Sequence, residues 1–157
     1  MKVSLDSHIG NNWLHQVILN KQEVIMWLLL QAGANIEATN GEGLTPLMLA
    51  VTNYNVTMAK LLLDRGADLK SKDFGGDQTA LGFALKSWRP LPGDEKMEAM
   101  ETIIELFLEK CDNLDLEVKD REHRTPLFIA IQNRNEGAVK LMLKKDADIE
   151  AMDMETL

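Results

Sequence analysis

The sequence predicts an all-α solenoid of stacked helix-turn-helix units. Three observations predict it. The triplet Thr-Pro-Leu recurs at Thr45-Pro46-Leu47 and Thr125-Pro126-Leu127, with Thr79-Ala80-Leu81 between them. Leu14, Leu47, Leu81 and Leu127 are separated by 33, 34 and 46 residues. A leucine triplet precedes a glycine twice, Leu28-Leu29-Leu30 before Gly33 and Leu61-Leu62-Leu63 before Gly66. Self-similarity at such a period signals units that bury their apolar faces only against stacked neighbours.

The stretch from Gly43 to Lys72 shows the unit most completely. Thr45 is a good N-cap because its hydroxyl can accept from an orphan backbone N–H. Pro46 suits the first helical position, where its missing N–H costs nothing. Leu47, Leu49, Ala50 and Val51 form one short apolar run, and Val56, Ala59, Leu61, Leu62 and Leu63 a second. Gly66 can take a positive φ and end that second helix.

On these residues the chain resembles the ankyrin repeat family. Thr45-Pro46-Leu47, Ala50, Leu61-Leu62-Leu63 and Gly66-Ala67-Asp68 fall where that family places them. The resemblance runs from about Ser7 to Leu157 in four repeats, at 7–39, 40–72, 73–119 and 120–152, with 153–157 opening a truncated fifth. It implies that the segment before each first helix is a β-hairpin-like finger. Asn40-Gly41-Glu42-Gly43 has the turn residues such a finger needs.

Repeat one has Trp13 at the proline position, Asn12 as candidate N-cap and His15 at the family's structural histidine position. Its second helix is expected from about Gln22 to Gln31. Trp27 stands where repeats two and four carry Lys60 and Lys140; either Val3 and Leu5 cover it or it is an exposed anchor. Repeat three has one extra finger residue. Its pattern breaks at Ser87-Trp88-Arg89-Pro90-Leu91-Pro92-Gly93, because two prolines and a glycine exclude a continuing helix. Asp94 then caps a long second helix from Glu95 to Lys110. In repeat four His123 and Asp146 replace glycines, and both types tolerate positive φ better than most. Ile129, Val139 and Met142 are expected to lack a neighbour at the end of the stack, and the chain reads as an excerpt of a longer protein.

Composition limits the function. A net charge of −8 over 157 residues disfavours nucleic acid, which wants a basic footprint. No apolar run approaches a membrane span of about 20 residues. Cys111 is the only cysteine, so no internal disulfide forms and a cytoplasmic or nuclear setting is expected. His8, His15 and His123 have no partners at metal-ligand spacing. Gly75-Gly76 opens no phosphate loop, and Cys111 has no base in view to make it a nucleophile. No cofactor, metal or catalytic residue is therefore assigned. In some family members an asparagine after the second helix is hydroxylated; here that position holds Glu37, Lys70, Glu117 and Glu150, and the modification does not carry over.

The resemblance implies a non-enzymatic module, expected to be monomeric, that binds a protein on its concave finger and first-helix face. The projected contact residues are Gly41, Glu42, Leu44, Phe74, Asp77, Gln78, Arg121, Glu122 and Arg124 in the fingers. Thr52, Asn53, Gln132 and Asn133 follow at the first-helix ends, and Trp88 in the insertion. Leu44 and Phe74 are apolar where polar residues are cheap, so they either anchor a partner or pack on neighbouring fingers. Trp88 is either a second contact or a seal between repeats two and four. Two alternatives remain: the ankyrin portion of a larger enzyme, receptor or effector, and a self-contained ankyrin inhibitor of an enzyme.

Overall fold

The computed structural model describes residues 13–75, 78–89, 93–110 and 115–151, and these form eight helices in four pairs. They are α1 (Trp13–Leu19), α2 (Glu23–Gln31), α3 (Pro46–Thr52), α4 (Val56–Asp64), α5 (Ala80–Ser87), α6 (Glu95–Lys110), α7 (Pro126–Gln132) and α8 (Glu136–Lys144). First helices α1, α3, α5 and α7 pack in sequence as one row, and second helices α2, α4, α6 and α8 as another. Asn12, Cys111, Asn113 and the segments around Val3, Pro90 and Met154 lie outside the described residues.

The caps follow the sequence. Thr45, Thr79 and Thr125 each accept a backbone N–H three residues on, at 3.3 Å. Asn55 and Asn135 do the same for α4 and α8, at 3.1 and 2.9 Å. Asp94 begins α6 by accepting from Lys96 N at 2.9 Å. The turns inside the pairs use a left-handed residue before the cap: Lys21 at φ 55°, Tyr54 at 56° and Arg134 at 57°. The insertion of repeat three ends the same way, with Gly93 at φ 78° ahead of Asp94. A positive-φ residue therefore precedes the cap of the second helix in all four pairs.

Helix ends are also shared. After α4, Gly66 at φ 84° lets Ala67 N reach Leu62 O at 3.0 Å. After α8, Asp146 at φ 59° lets Ala147 N reach Met142 O at 3.1 Å, so aspartate adopts the glycine conformation there.

Met26, Met58, Leu62, Leu81, Ile103, Phe107 and Met142 are fully buried between the two rows. Truncating such a residue to alanine typically costs about 2–5 kcal/mol. One expectation fails here. Ile129 and Met142 do not lack neighbours: they are 3% and 0% exposed, because they face the preceding repeat. Ile131 and Leu143 carry the open end instead. No described residue forms a strand. A backbone bond between first and last residue closes each described finger, with a second, turn bond inside the fingers of Asn40 and Asp120, too few for a ladder.

Candidate functional site

Three described fingers share one construction. Asn40 Oδ1 accepts from Glu42 N and Leu44 N at 3.0 and 2.9 Å, and Asn40 N donates to Leu44 O. Asp120 Oδ1 accepts from Glu122 N and Arg124 N, both at 3.0 Å, and Asp120 N donates to Arg124 O. In the middle finger Asp73 bonds Gly75 N and Gln78 N, and its own N–H reaches Gln78 O. That closure is one residue wider than its neighbours, which is the insertion the sequence shows. Asp77, inside it, lies outside the described residues.

Phe74 tips this middle finger and is 66% exposed. Its backbone is held from both sides. A Cβ on Gly43 would fall 2.5 Å from Phe74 N and 2.3 Å from its ring, and Gly43 has φ +79°, so only glycine fits beneath it. From the other finger, Arg121 Nη2 donates to Phe74 O at 3.1 Å. An apolar ring is thus presented to solvent on a fixed mount.

Beside it is an ion network. Lys86 Nζ lies 3.1 Å from Asp120 Oδ2 and 3.2 Å from Glu122 Oε2. The Arg124 guanidinium reaches Asp120 Oδ2 at 2.9 and 3.1 Å and also pairs with Glu122. Burial pushes the Asp120 carboxyl up. The Arg124 backbone N–H, its guanidinium and Lys86 outweigh that and hold it well below the usual carboxylate range.

The expected contact residues divide. Gly41, Glu42, Phe74, Arg121, Glu122, Asn53 and Gln132 are exposed. Gln78 is half-buried and bound into its finger by Asp73. Thr52 is half-buried, its hydroxyl donating to Leu49 O. Asn133 Nδ2 donates to Leu85 O at 2.8 Å, so it ties repeat four to repeat three. Leu44 is a correction: it is 8% exposed, part of the core, and its carbonyl accepts from His15 Nε2 at 2.8 Å. Trp88 is another: at 7% exposed it belongs to the core rather than to a contact surface. Trp27 is 39% exposed with Arg65 5.8 Å over its ring; Val3 and Leu5 lie outside the described residues.

Sequence reasoning missed Lys86, although it occupies the register of Thr52 and Gln132. It also missed that Glu37 Oε1 accepts Asp68 N at 2.8 Å and Glu117 Oε1 accepts Asp148 N at 2.9 Å, two ties between successive repeats. A groove at the far ends of the first helices is lined by Tyr54, Ser87, Arg89, Asp94, Lys96 and Met97. Lys96 stands 5.4 Å over the Tyr54 ring there. Among the described residues no three His, Cys, Asp or Glu side chains converge as metal ligands, and no helix is long and apolar enough to cross a membrane.

Two family models match the chain: "Ankyrin repeats (many copies)" over residues 29–84 and "Ankyrin repeats (3 copies)" over 94–153. The ankyrin repeat protein FPV230 of Fowlpox virus (strain NVSL) is 28% identical over 163 residues, covering 89% of this chain and 85% of that protein. Human B-cell lymphoma 3 protein is 30% identical over 131 residues, 82% of this chain. The chain spans only 26% of that relative, and 29% of a second fowlpox protein, FPV034. The solved ankyrin repeat domain of Bcl-3 superposes with a TM-score of 0.70 at 24% identity, covering 85% of this chain and 52% of its own. An ankyrin repeat domain from Acinetobacter baumannii AYE gives 0.75 at 21% identity, covering 90% and 68%.

Proposed function

The chain belongs to the ankyrin repeat family, and from that premise we propose that it is a non-enzymatic module gripping a partner protein on its finger and first-helix face. The observation that carries this reading is Phe74, exposed on a backbone braced by Gly43 and Arg121. A large ring already fixed in place loses little entropy on binding, and aromatic anchors dominate interface energies. Glu42, Arg121 and Glu122 around it supply charges that orient a partner more than they add affinity. Leu44 and Trp88 are buried in the core and are left out of this surface. The reading assigns no reaction, cofactor or metal to the chain, and it keeps the cytoplasm or nucleus as the setting.

The test is affinity capture of partners followed by titration of each purified prey. Phe74→Asp is expected to weaken concave-face preys by about 2 kcal/mol, roughly thirtyfold in Kd. Glu105→Arg, on the exposed side of α6, leaves them unchanged. Preys that depend on Glu105 and ignore Phe74 place the binding face on the other side of the stack.

A further inference from the structure

Between a second helix and the finger that follows it, a carboxylate ties one repeat to the next. Glu37 Oε1 accepts Asp68 N at 2.8 Å, and its Oε2 accepts the Ser71 hydroxyl at 3.0 Å. Glu117 Oε1 repeats the first of these bonds with Asp148 N at 2.9 Å. The seam between repeats two and three lines up the same positions with other residues. Lys70 has the register of the two glutamates, Asp115 that of the two aspartates, and Val118 that of Ser71. A cavity of about 190 Å³ opens among them, lined by Leu69, Lys70, Lys72, Thr79, Asp115 and Val118. One water needs only about 15 Å³ of such space, so the cavity has room for a small acid group with waters around it.

Its charge runs against that of the molecule. The chain carries −8 overall, yet two lysines line this cavity against a single carboxylate. That carboxylate, Asp115, turns its Oδ1 to Glu117 N at 3.0 Å, inside its own turn. Lys72 Nζ reaches Lys119 O across the seam at 3.5 Å, a long and weak bond that a better acceptor displaces. We propose that this seam binds a carboxylate from outside the chain, in the place that Glu37 and Glu117 fill from within. One oxygen accepts the Asp115 N–H, as Glu37 accepts that of Asp68. The other faces Lys70 and Lys72, where Glu37 has Ser71. Bonds between an ammonium and a carboxylate are about twice as strong as neutral ones. A free organic acid and a glutamate side chain of a bound protein present this same group.

An amide NMR titration at constant ionic strength tests the site, because it reads the Asp115 N–H itself. Two probes separate the sources: glutarate stands for a free acid, and the α-amide of N-acetylglutamate, whose only charge is its side-chain carboxylate, stands for a protein. Saturable movement of the Asp115 resonance is expected, with a Kd on the order of millimolar, and the tighter probe identifies the source. Lys70→Glu supplies the carboxylate from within; it should abolish the response and raise the melting temperature by about 3 °C. Lys70→Ala should weaken both probes about tenfold with no such rise. Lys60→Glu makes the same charge change at an exposed position on α4 and should leave both readings as they were. An Asp115 resonance that neither probe moves, movement that survives Lys70→Glu or is lost equally in Lys60→Glu, a lower melting temperature in Lys70→Glu, or tighter binding of inorganic phosphate than of either carboxylate overturns the proposal.

Discussion

The junction between the first two repeats and the junction between the last two hold the same backbone by different chemistry. In the first, His15 is fully buried and donates to Leu44 O at 2.8 Å, with the Leu44 side chain in the core. In the last, Gly82 occupies the register of His15 and Arg124 that of Leu44. There the finger is held by the Lys86, Asp120, Arg124 and Glu122 network, and a narrow cavity lined by Thr79, Gly82, Pro126 and Ile129 remains behind it. A neutral bond in a dry site and an ion cluster at the rim fix one geometry equally well. They differ in how solvent can loosen them: protons act on the first, salt on the second.

The largest way to break the comparison is His15→Ala. It removes a buried ring and one of the two hydrogen bonds that the Leu44 carbonyl accepts, so urea unfolding should show a loss of about 3 kcal/mol. The same site sets a pH slope. Burial pushes the His15 imidazole below its ordinary 6.5, against the smaller upward pull of the Leu44 carbonyl. As pH falls below 6.5 the unfolded chain binds a proton that the folded chain resists, so this stability is complete above 6.5 and lost on the acid side. His15→Met should flatten that slope; a slope unchanged by it assigns the titration elsewhere.

Gly82→Ala should strengthen the last junction. A Cβ there meets Thr79 Oγ1 at 3.7 Å and Gln78 Cβ at 3.8 Å, ordinary contact distances. Alanine is the better helix former by about 1 kcal/mol, and a higher melting temperature of that size is expected. Arg134→Gly relieves a left-handed residue at the turn where repeat three uses Gly93, and should add about 0.5–1 kcal/mol in the same melt. The smallest effect is Lys86→Ala, about 0.5 kcal/mol at low salt and less at high salt. His15→Ala, by contrast, should cost the same at any ionic strength.

Much of the scaffold was legible because each signal is local. Thr45, Thr79 and Thr125 announce caps, Asp94 announces α6, and the wider spacing after Asp73 announces the extra finger residue. Asp146 and His123 stand at glycine positions and take positive φ, as their types allow. The surface was harder to read. Leu44 shares its register with Gln78 and Arg124, and the sequence left it between anchoring a partner and packing on neighbouring fingers; in the structure it is a core residue whose carbonyl bonds His15. Trp88 sits among prolines in an irregular stretch whose path has no period. The Glu37 and Glu117 ties link residues 31 apart, and no local pattern marks a carboxylate that caps a neighbour's backbone.

Lys70 stands where Glu37 and Glu117 make those ties, and an ammonium has no lone pair to accept with. Across that middle seam Lys72 Nζ reaches Lys119 O only at 3.5 Å. The consequence is mechanical. Pulled by its ends in an optical trap, the chain is expected to keep the α6–α8 seam, which has both packing and its tie, and to tear first on the α4 side of α6, lengthening in two steps like a spring with a soft coil. A single step, or rupture beginning at α8, would show that load is shared evenly along the stack.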